Sequence, residues 1–255
     1  MARHSAVNAL SGKDVVITGG SKGLGRVCAK QLLARGSRVF VLSRSVGQLH
    51  DLLEQHPDRL HWHATDIADR SAVERAFANI AQQSEALHGL VLNAVTATPR
   101  ALDDMTESDI VGALMVNVAG PLYCLQLAAP LLSGGRVIFV SSETVARPYP
   151  MLSLYAGVKA AVETIFKGLR HELHRERGIS LTVLRSGLLG GTSFTEHWDA
   201  ELSDRFFKLV VESGFLSTSG EPMSPLQVAK GIIYLLEMDS EAAVNEMDIR
   251  SASAY

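Results

Sequence analysis

The stretch Val15-Val16-Ile17-Thr18-Gly19-Gly20-Ser21-Lys22-Gly23-Leu24-Gly25 leaves few folds open to this chain. Three consecutive β-branched residues have no polar face, so they predict a strand covered by helices on both sides, as in a parallel sheet. Glycines follow at once, and the amphipathic pattern Leu24–Arg35 follows the glycines. A strand that turns into a helix over glycines presents backbone N–H groups and a helix N-terminus to an anion. Gly19 suits the tight turn, Gly23 lets a pyrophosphate approach the backbone, and Gly25 lets helix and strand pack closely. In that context the motif predicts dinucleotide binding.

The rest of the chain repeats the alternation. Strands are predicted at Val15–Thr18, Arg38–Ser43, Leu60–Ala64, Leu90–Asn93, Val137–Ser141, Leu181–Arg185 and Glu246–Ile249. Helical patterns fall at Leu24–Arg35, Val46–Gln55, Ser71–Gln83, Thr106–Leu132, Tyr155–Arg177 and Pro225–Glu237. Such alternation implies right-handed βαβ units and a Rossmann-type, doubly wound α/β fold with about seven parallel strands. No linker or charge block divides the 255 residues, so one domain is expected over 1–255. A net charge of -3 argues against nucleic acid as a partner. Residues 1–10 hold no apolar stretch of signal-peptide length, and no segment approaches the roughly 18 apolar residues of a membrane span. Cys28 and Cys124 sit inside helical patterns and read as small core residues. A cytoplasmic, reduced protein with no membrane partner is the expectation.

Gly19-Gly20-Ser21-Lys22-Gly23 also fits the nucleophile elbow of hydrolases, which needs an acid and then a histidine downstream. The last histidines, His171, His174 and His197, do not fall in a late loop directly after a strand. The dinucleotide reading is therefore preferred. An acidic residue about 20 residues past the loop would hold the ribose hydroxyl of NAD. The second strand instead ends Leu42-Ser43-Arg44. With Lys22 in the loop, two cations and no anion suit the 2′-phosphate of NADP(H), with NAD(H) possible. Asp66, after the third strand, is placed to accept from the adenine amine or to form a local turn.

Tyr155 and Lys159 are four apart and share a helix face; Ser142 lies thirteen residues before the tyrosine. A free tyrosine titrates near ~10, too high for a base at neutral pH. A cation about 4 Å away at effective dielectric ~20 is worth roughly 4 kcal/mol, which would lower that value by at most roughly 3 units. A proton-transfer pair is the reading.

These motifs together resemble the compact branch of the short-chain dehydrogenase/reductase family, over nearly the whole chain. The resemblance implies a tetrad: Tyr155 exchanges the substrate proton and Ser142 hydrogen-bonds the carbonyl oxygen. Lys159 binds the nicotinamide ribose and lowers the tyrosine pKa, and Asn117 holds a water linking Lys159 to solvent. Ser141 is the alternative serine. The resemblance places the cofactor against Gly19, Ser21, Lys22, Gly23, Leu24, Ser43, Arg44, Asp66, Asn93, Tyr155, Lys159 and Gly187. It also implies a homodimer or homotetramer built through the long helices. The chain departs from the family pattern at Val95, where glycine is usual, at Ser186-Gly187, and at Gly191, with Thr192 one place late for the carboxamide contact. The usual C-terminal Asp-Gly-Gly is absent.

A lid is expected over Leu188–Pro222, where four of the eight phenylalanines fall (Phe194, Phe206, Phe207 and Phe215) beside Trp198. Tyr149 and Met151 would line the opposite wall. With no Arg or Lys from Gly187 to Asp204, the substrate expected is a bulky, mostly apolar ketone or its secondary alcohol. The alternative is that Phe206, Phe207 and Val210 are simply the buried stripe of a lid helix. His61 and His63 share a strand face but lack a third metal ligand, so no metal is expected. An NADP-dependent oxidoreductase is the leading reading, with a non-catalytic NADP-binding sensor or scaffold as the alternative.

Overall fold

The computed structural model describes residues 9–215 and 220–254. Seven parallel strands form one sheet in the order β3-β2-β1-β4-β5-β6-β7. They are β1 (Asp14–Thr18), β2 (Arg38–Ser43), β3 (Leu60–Ala64), β4 (Gly89–Leu92), β5 (Arg136–Ser142), β6 (Ser180–Ser186) and β7 (Glu246–Ile249). The order reverses between β1 and β4, which opens the crevice where ligands of such sheets bind. β1 pairs with β2 through Val15↔Val39 and Ile17↔Val41, and with β4 through Ile17↔Val91, so its apolar residues are enclosed. All five β1 residues are buried.

Helices cover both faces. On one, α1 (Gly23–Ala34) packs against the last long helix, here α8 (Pro225–Glu237), over Val15, Ile17, Val41, Val91 and Ile138. On the other, α3 (Arg70–Ala81), α5 (Gly120–Ala128) and α6 (Ser153–Arg177) cover Val16, Phe40, Leu90, Val137 and Phe139. Each large side chain fully buried here stabilises the fold by roughly 1.5–3 kcal/mol. Cys28 and Cys124 are buried and free, one in each layer, and burial pushes both thiols up to about 12. The remaining helices are α2 (His50–Gln55), α4 (Glu107–Leu114) and α7 (Ala200–Glu212).

The expected helix Thr106–Leu132 is three pieces. A capping box between Thr106 and Asp109 starts α4, a π-helical turn spans Met115–Ala119, and α5 ends at Ala128. Helical periodicity cannot reveal one extra residue per turn, which is all a π turn adds. The joined run Glu107–Ala128 also corrects the expectation about spans: by length and composition alone it is long and apolar enough to cross a membrane. Here it packs through α5 against α3 and β4. Ile110, Val111 and Leu114 on α4 stay exposed. The expected helix from Val46 starts only at His50, because Val46–Leu49 forms a turn.

Candidate active site

The tip of β1 is tied to the tip of β4. The Thr18 hydroxyl accepts from the backbone N–H groups of Asn93 and Ala94, both at 3.0 Å. The Asn93 amide donates to the carbonyls of Thr18 and Gly19, both at 3.1 Å. This fixes the glycine turn. Gly19 has φ +66, and a Cβ there would lie 2.8 Å from the Ala94 Cα. Gly25 is closed to any side chain, since a Cβ would lie 2.4 Å from the Gly19 carbonyl oxygen and 2.7 Å from the Asn93 amide. Above Gly23 the space stays open to 3.7 Å, where Thr192 and Ser193 stand. The cradle, with the first N–H groups of α1 at its rim, fits a pyrophosphate.

Around the crevice the expected cofactor residues meet different fates. Ser21 is buried and its carbonyl accepts from Gln48 N–H, while Leu24 is buried in the core beneath the loop. Ser43 turns inward: its hydroxyl donates to the Ser45 carbonyl at 2.8 Å and accepts from the Trp62 indole at 3.0 Å. Arg44 is exposed. Lys22 does not share the Arg44 surface as a free cation; its ammonium pairs with Glu196 of the lid at 3.0 Å. Asp66 takes the local alternative, accepting from Ala68 N–H at 2.9 Å, which leaves its outer face exposed. Gly187 packs against Arg250 and donates to the Ile249 carbonyl, so it serves the β6–β7 edge as well as the crevice rim. Val95 is exposed, facing outward from the loop after β4.

Ser142 ends β5, and Tyr155 and Lys159 stand on the first turns of α6. Between them Met151 holds φ 61, a conformation rare outside glycine, and its carbonyl accepts from Arg100 N–H at 2.8 Å. The Ser142 hydroxyl accepts from the backbone N–H and the hydroxyl of Thr144, at 3.2 and 3.0 Å. Ser142, not Ser141, is the serine that acts on the Tyr155 hydroxyl, whereas Ser141 donates to Glu163 at 2.6 Å. Lys159 is buried, donates to the Val140 carbonyl at 2.7 Å, and lies over the rings of Phe139 and Tyr155 at 4.6 and 5.9 Å. Asn117 sits in the π turn with its amide donating to the Thr96 and Ala113 carbonyls, at 2.9 and 3.0 Å, and accepting from Thr96 N–H. π turns recur at functional sites, and this one packs against α6.

The electrostatics run opposite to the expectation that Lys159 pulls the tyrosine down. Burial pushes Tyr155 up to about 12, against the pull of Ser142. Burial also brings Lys159 down to about 7, with Glu163 holding it up. Desolvation penalises both charged forms, and the ammonium is spent on the Val140 carbonyl and the aromatic rings. As it stands, the pair is biased towards neutral tyrosine.

The described part of the segment 188–222, the expected lid, packs over this group. Its base is a parallel bridge between Leu189 and Met223. Trp198 donates to the Ala97 carbonyl at 2.8 Å, and Phe194 meets Tyr155 edge-on at 5.7 Å between centroids. Trp198, Phe206, Val210, Tyr149 and Met151 form one buried cluster, so both walls anticipated from sequence do meet. Phe206 and Val210 are also the inward stripe of α7, as the alternative had it, while Phe207 is half-exposed. Residues 216–219 of the predicted lid lie outside the described residues. His197 is exposed and bonds the Ala97 carbonyl. Among the described residues no group of metal-ligating side chains gathers, and His61 and His63 have buried, unpartnered Nε2 atoms beside Phe40.

Sequence reasoning missed two carboxylates. Glu163, one turn beyond Lys159 on the face of Tyr155, is bonded by Ser141 and Arg185. Glu143, next to Ser142, accepts from the Tyr149 hydroxyl at 2.7 Å. The first was findable, since Tyr155, Lys159 and Glu163 continue one helical spacing.

The profile of the short chain dehydrogenase family matches residues 13–203, and the chain belongs to that family of oxidoreductases. An uncharacterized oxidoreductase of Staphylococcus aureus (strain MW2) is 26% identical over 246 residues, 94% of this chain and 98% of the relative. The closed form of a serine dehydrogenase complexed with NADP+ superimposes with a TM-score of 0.80 at 22% identity, covering 94% of this chain and 95% of that one. An alcohol dehydrogenase from Thermococcus sibiricus complexed with 5-hydroxy-NADP gives 0.77 at 22% identity, over 94% and 97%.

Proposed function

We propose that this chain is a reductase that uses NADP(H) to interconvert a bulky, mostly apolar ketone and its secondary alcohol, with residues 1–255 forming one catalytic domain under the lid at 188–222. The observation that carries the reading is the junction of Ser142, Tyr155 and Lys159 beneath Phe194. The cradle of Gly19, Ser21, Gly23 and Leu24, with Asn93 and Gly187 at its rim, would hold the dinucleotide. When bound, that group supplies or accepts the hydride.

The chain's own residues manage the oxygen. Ser142 donates a hydrogen bond to the carbonyl oxygen, polarising it. Tyr155, protonated throughout the neutral range at about 12, delivers its proton to the oxygen as negative charge develops there. Lys159 holds the ribose and restores the proton, and Asn117 positions the water through which it exchanges with solvent. The aromatic cluster excludes bulk water from the developing charge. The cations of the described lid are engaged by carboxylates, Arg205 with Asp104 at 2.7 Å and Lys208 with Glu212 at 4.0 Å.

NADP over NAD rests on the absence of a carboxylate at the β2 tip and on exposed Arg44. Lys22 contributes only by exchanging Glu196 for phosphate. The bound NADP+ of the serine dehydrogenase structure agrees with this choice. The exposed Ile110, Val111 and Leu114 of α4 supply an apolar face for a homodimer or homotetramer, and two free buried thiols suit a cytoplasmic setting.

The test is oxidation of NADPH, with NADH in parallel, against ketones running from small and charged to bulky and apolar. Turnover of the bulky members with NADPH is expected. Turnover of small charged ketones alone, or with NADH alone, overturns the substrate or the cofactor assignment respectively. Tight NADPH binding with no turnover of any ketone favours the sensor reading.

A further inference from the structure

Glu163 is buried, at 3% exposure, yet it has no place in the proton-transfer group as described so far. It stands on α6 one turn past Lys159 and two turns past Tyr155, facing the same way. One carboxylate oxygen accepts from the hydroxyl of Ser141, the residue preceding Ser142 in β5. Both oxygens accept from the Arg185 guanidinium of β6, with the Nε contacts at 3.0 Å. Arg185 is held in turn from β7 by Glu246 at 2.9 Å and Asp248 at 3.6 Å. A chain of charge-assisted bonds therefore runs from the sheet edge through β6 into the junction of β5 and α6.

We infer that Glu163 is a positioning residue for the reaction: it grips the strand that carries Ser142, fixes it against the helix that carries Tyr155 and Lys159, and supplies the negative charge that balances Lys159. A purely structural ion pair has no reason to lie at this point. The alternative partner for Arg185 was already available in Glu246 and Asp248, which are less buried and need no bond to Ser141.

Two independent consequences follow from the geometry. The hydroxyl of Ser141 is one residue from that of Ser142, so loosening Glu163 lets the serine drift relative to Tyr155. The groups acting on Lys159 are Tyr155 and Glu163 from α6, the Val140 carbonyl and Phe139 ring from β5, and Arg185 from β6 behind Glu163. Of these only Glu163 is an anion beside the ammonium. Burial lowers Lys159 and Glu163 raises it, so removing the carboxylate must send Lys159 lower still.

The inference rests on the oxidoreductase reading for its kinetic arm only. The deciding measurement is an NMR titration of Lys159 in cofactor-free protein labelled at lysine Nζ, with the signal assigned by loss in Lys159→Arg. Glu163→Gln is expected to move the titration down by about 1 pH unit, the size of a screened charge one helical turn away. The alkaline limb of kcat/KM for ketone reduction should move with it. An unmoved Lys159 signal overturns the inference whatever the activity. Should Glu163→Gln fail to fold, Ser141→Ala decides: kcat falls about fivefold with KM and Tm nearly unchanged, whereas an unchanged kcat overturns the inference. Tyr155→Phe measured alongside separates the two readings. If that variant keeps full rate, the site assignment has failed, and the titration still judges Glu163.

Discussion

The two helices that contribute to the candidate active site and its aromatic cover, α6 and α7, are built on different principles. The N-terminal half of α6 is anchored by polar groups deep in the protein: Lys159 on the Val140 carbonyl, Glu163 on Ser141 and Arg185. α7 and the lid before it are anchored by aromatic edges and one indole hydrogen bond, with Phe194, Trp198, Phe206 and Phe207 in sequential contact at 5.1 to 6.5 Å. Directional buried bonds define single positions for atoms; apolar packing tolerates rearrangement. A proton donor needs the first kind of support. The proposed lid, which would open and close over a substrate, is better served by the second.

The comparison is sharpest at Tyr155, whose hydroxyl carries the proposed proton transfer while its ring is one more edge in the aromatic cluster. Tyr155→Phe keeps the ring and removes the proton. A fall in kcat of about 10²- to 10⁴-fold is expected, the range of a positioned acid, with the thermal midpoint within a few degrees of wild type. A similar rate in the variant would mean that α6 is a scaffold and nothing more.

Lys159 provides the second contrast, because on α6 function and stability oppose each other. Its value in the folded protein, about 7, lies below the ordinary 10.5. Between those limits the unfolded chain binds more protons, so stability rises with pH across that window. The penalty is complete below about 7 and gone above about 10.5. Its ceiling is about 5 kcal/mol, from roughly 1.4 kcal/mol per unit. Lys159→Met is therefore expected to abolish turnover while raising Tm at pH 6, the gain shrinking as pH climbs from 7 to 10. Thermal melts across that range check it; a destabilised variant at pH 6 would show that the buried ammonium is fully compensated.

How much of this was legible beforehand follows the same division. The β2, β3 and β7 boundaries and α8 were read to the residue; β2 is buried on both sheet faces and reads as an apolar run, while β3 and β7 are partly exposed edge strands. That Tyr155 and Lys159 stand on one helix face was legible from spacing, since helix geometry is regular, while Ser142 was expected from the family resemblance. The π turn at Asn117 was not, because its signature is one backbone hydrogen bond displaced by a residue. The direction of the Tyr155 and Lys159 shifts was not legible either. Sequence gives the sign of a neighbour's charge, but desolvation depends on how completely Phe139, Phe194 and the lid exclude water. The partner of Lys22 was out of reach for a simpler reason, as Glu196 lies 174 residues away on the least regular segment.

That last pair gives the smallest effect and the most direct probe of the lid. Lys22 and Glu196 are each about half exposed, so their bridge contributes well under 1 kcal/mol. It joins the glycine loop to the lid, however, and occupies the cation expected to meet a 2′-phosphate. Glu196→Gln frees Lys22 and removes a negative charge from the approach to the cofactor. NADPH is expected to bind two- to threefold more tightly at low salt, with NADH unchanged. The difference should fade by about 0.5 M salt, where the screening length falls to a few ångströms. Equal tightening of both cofactors would place Lys22 on the shared pyrophosphate instead, and leave Arg44 alone to recognise the 2′-phosphate.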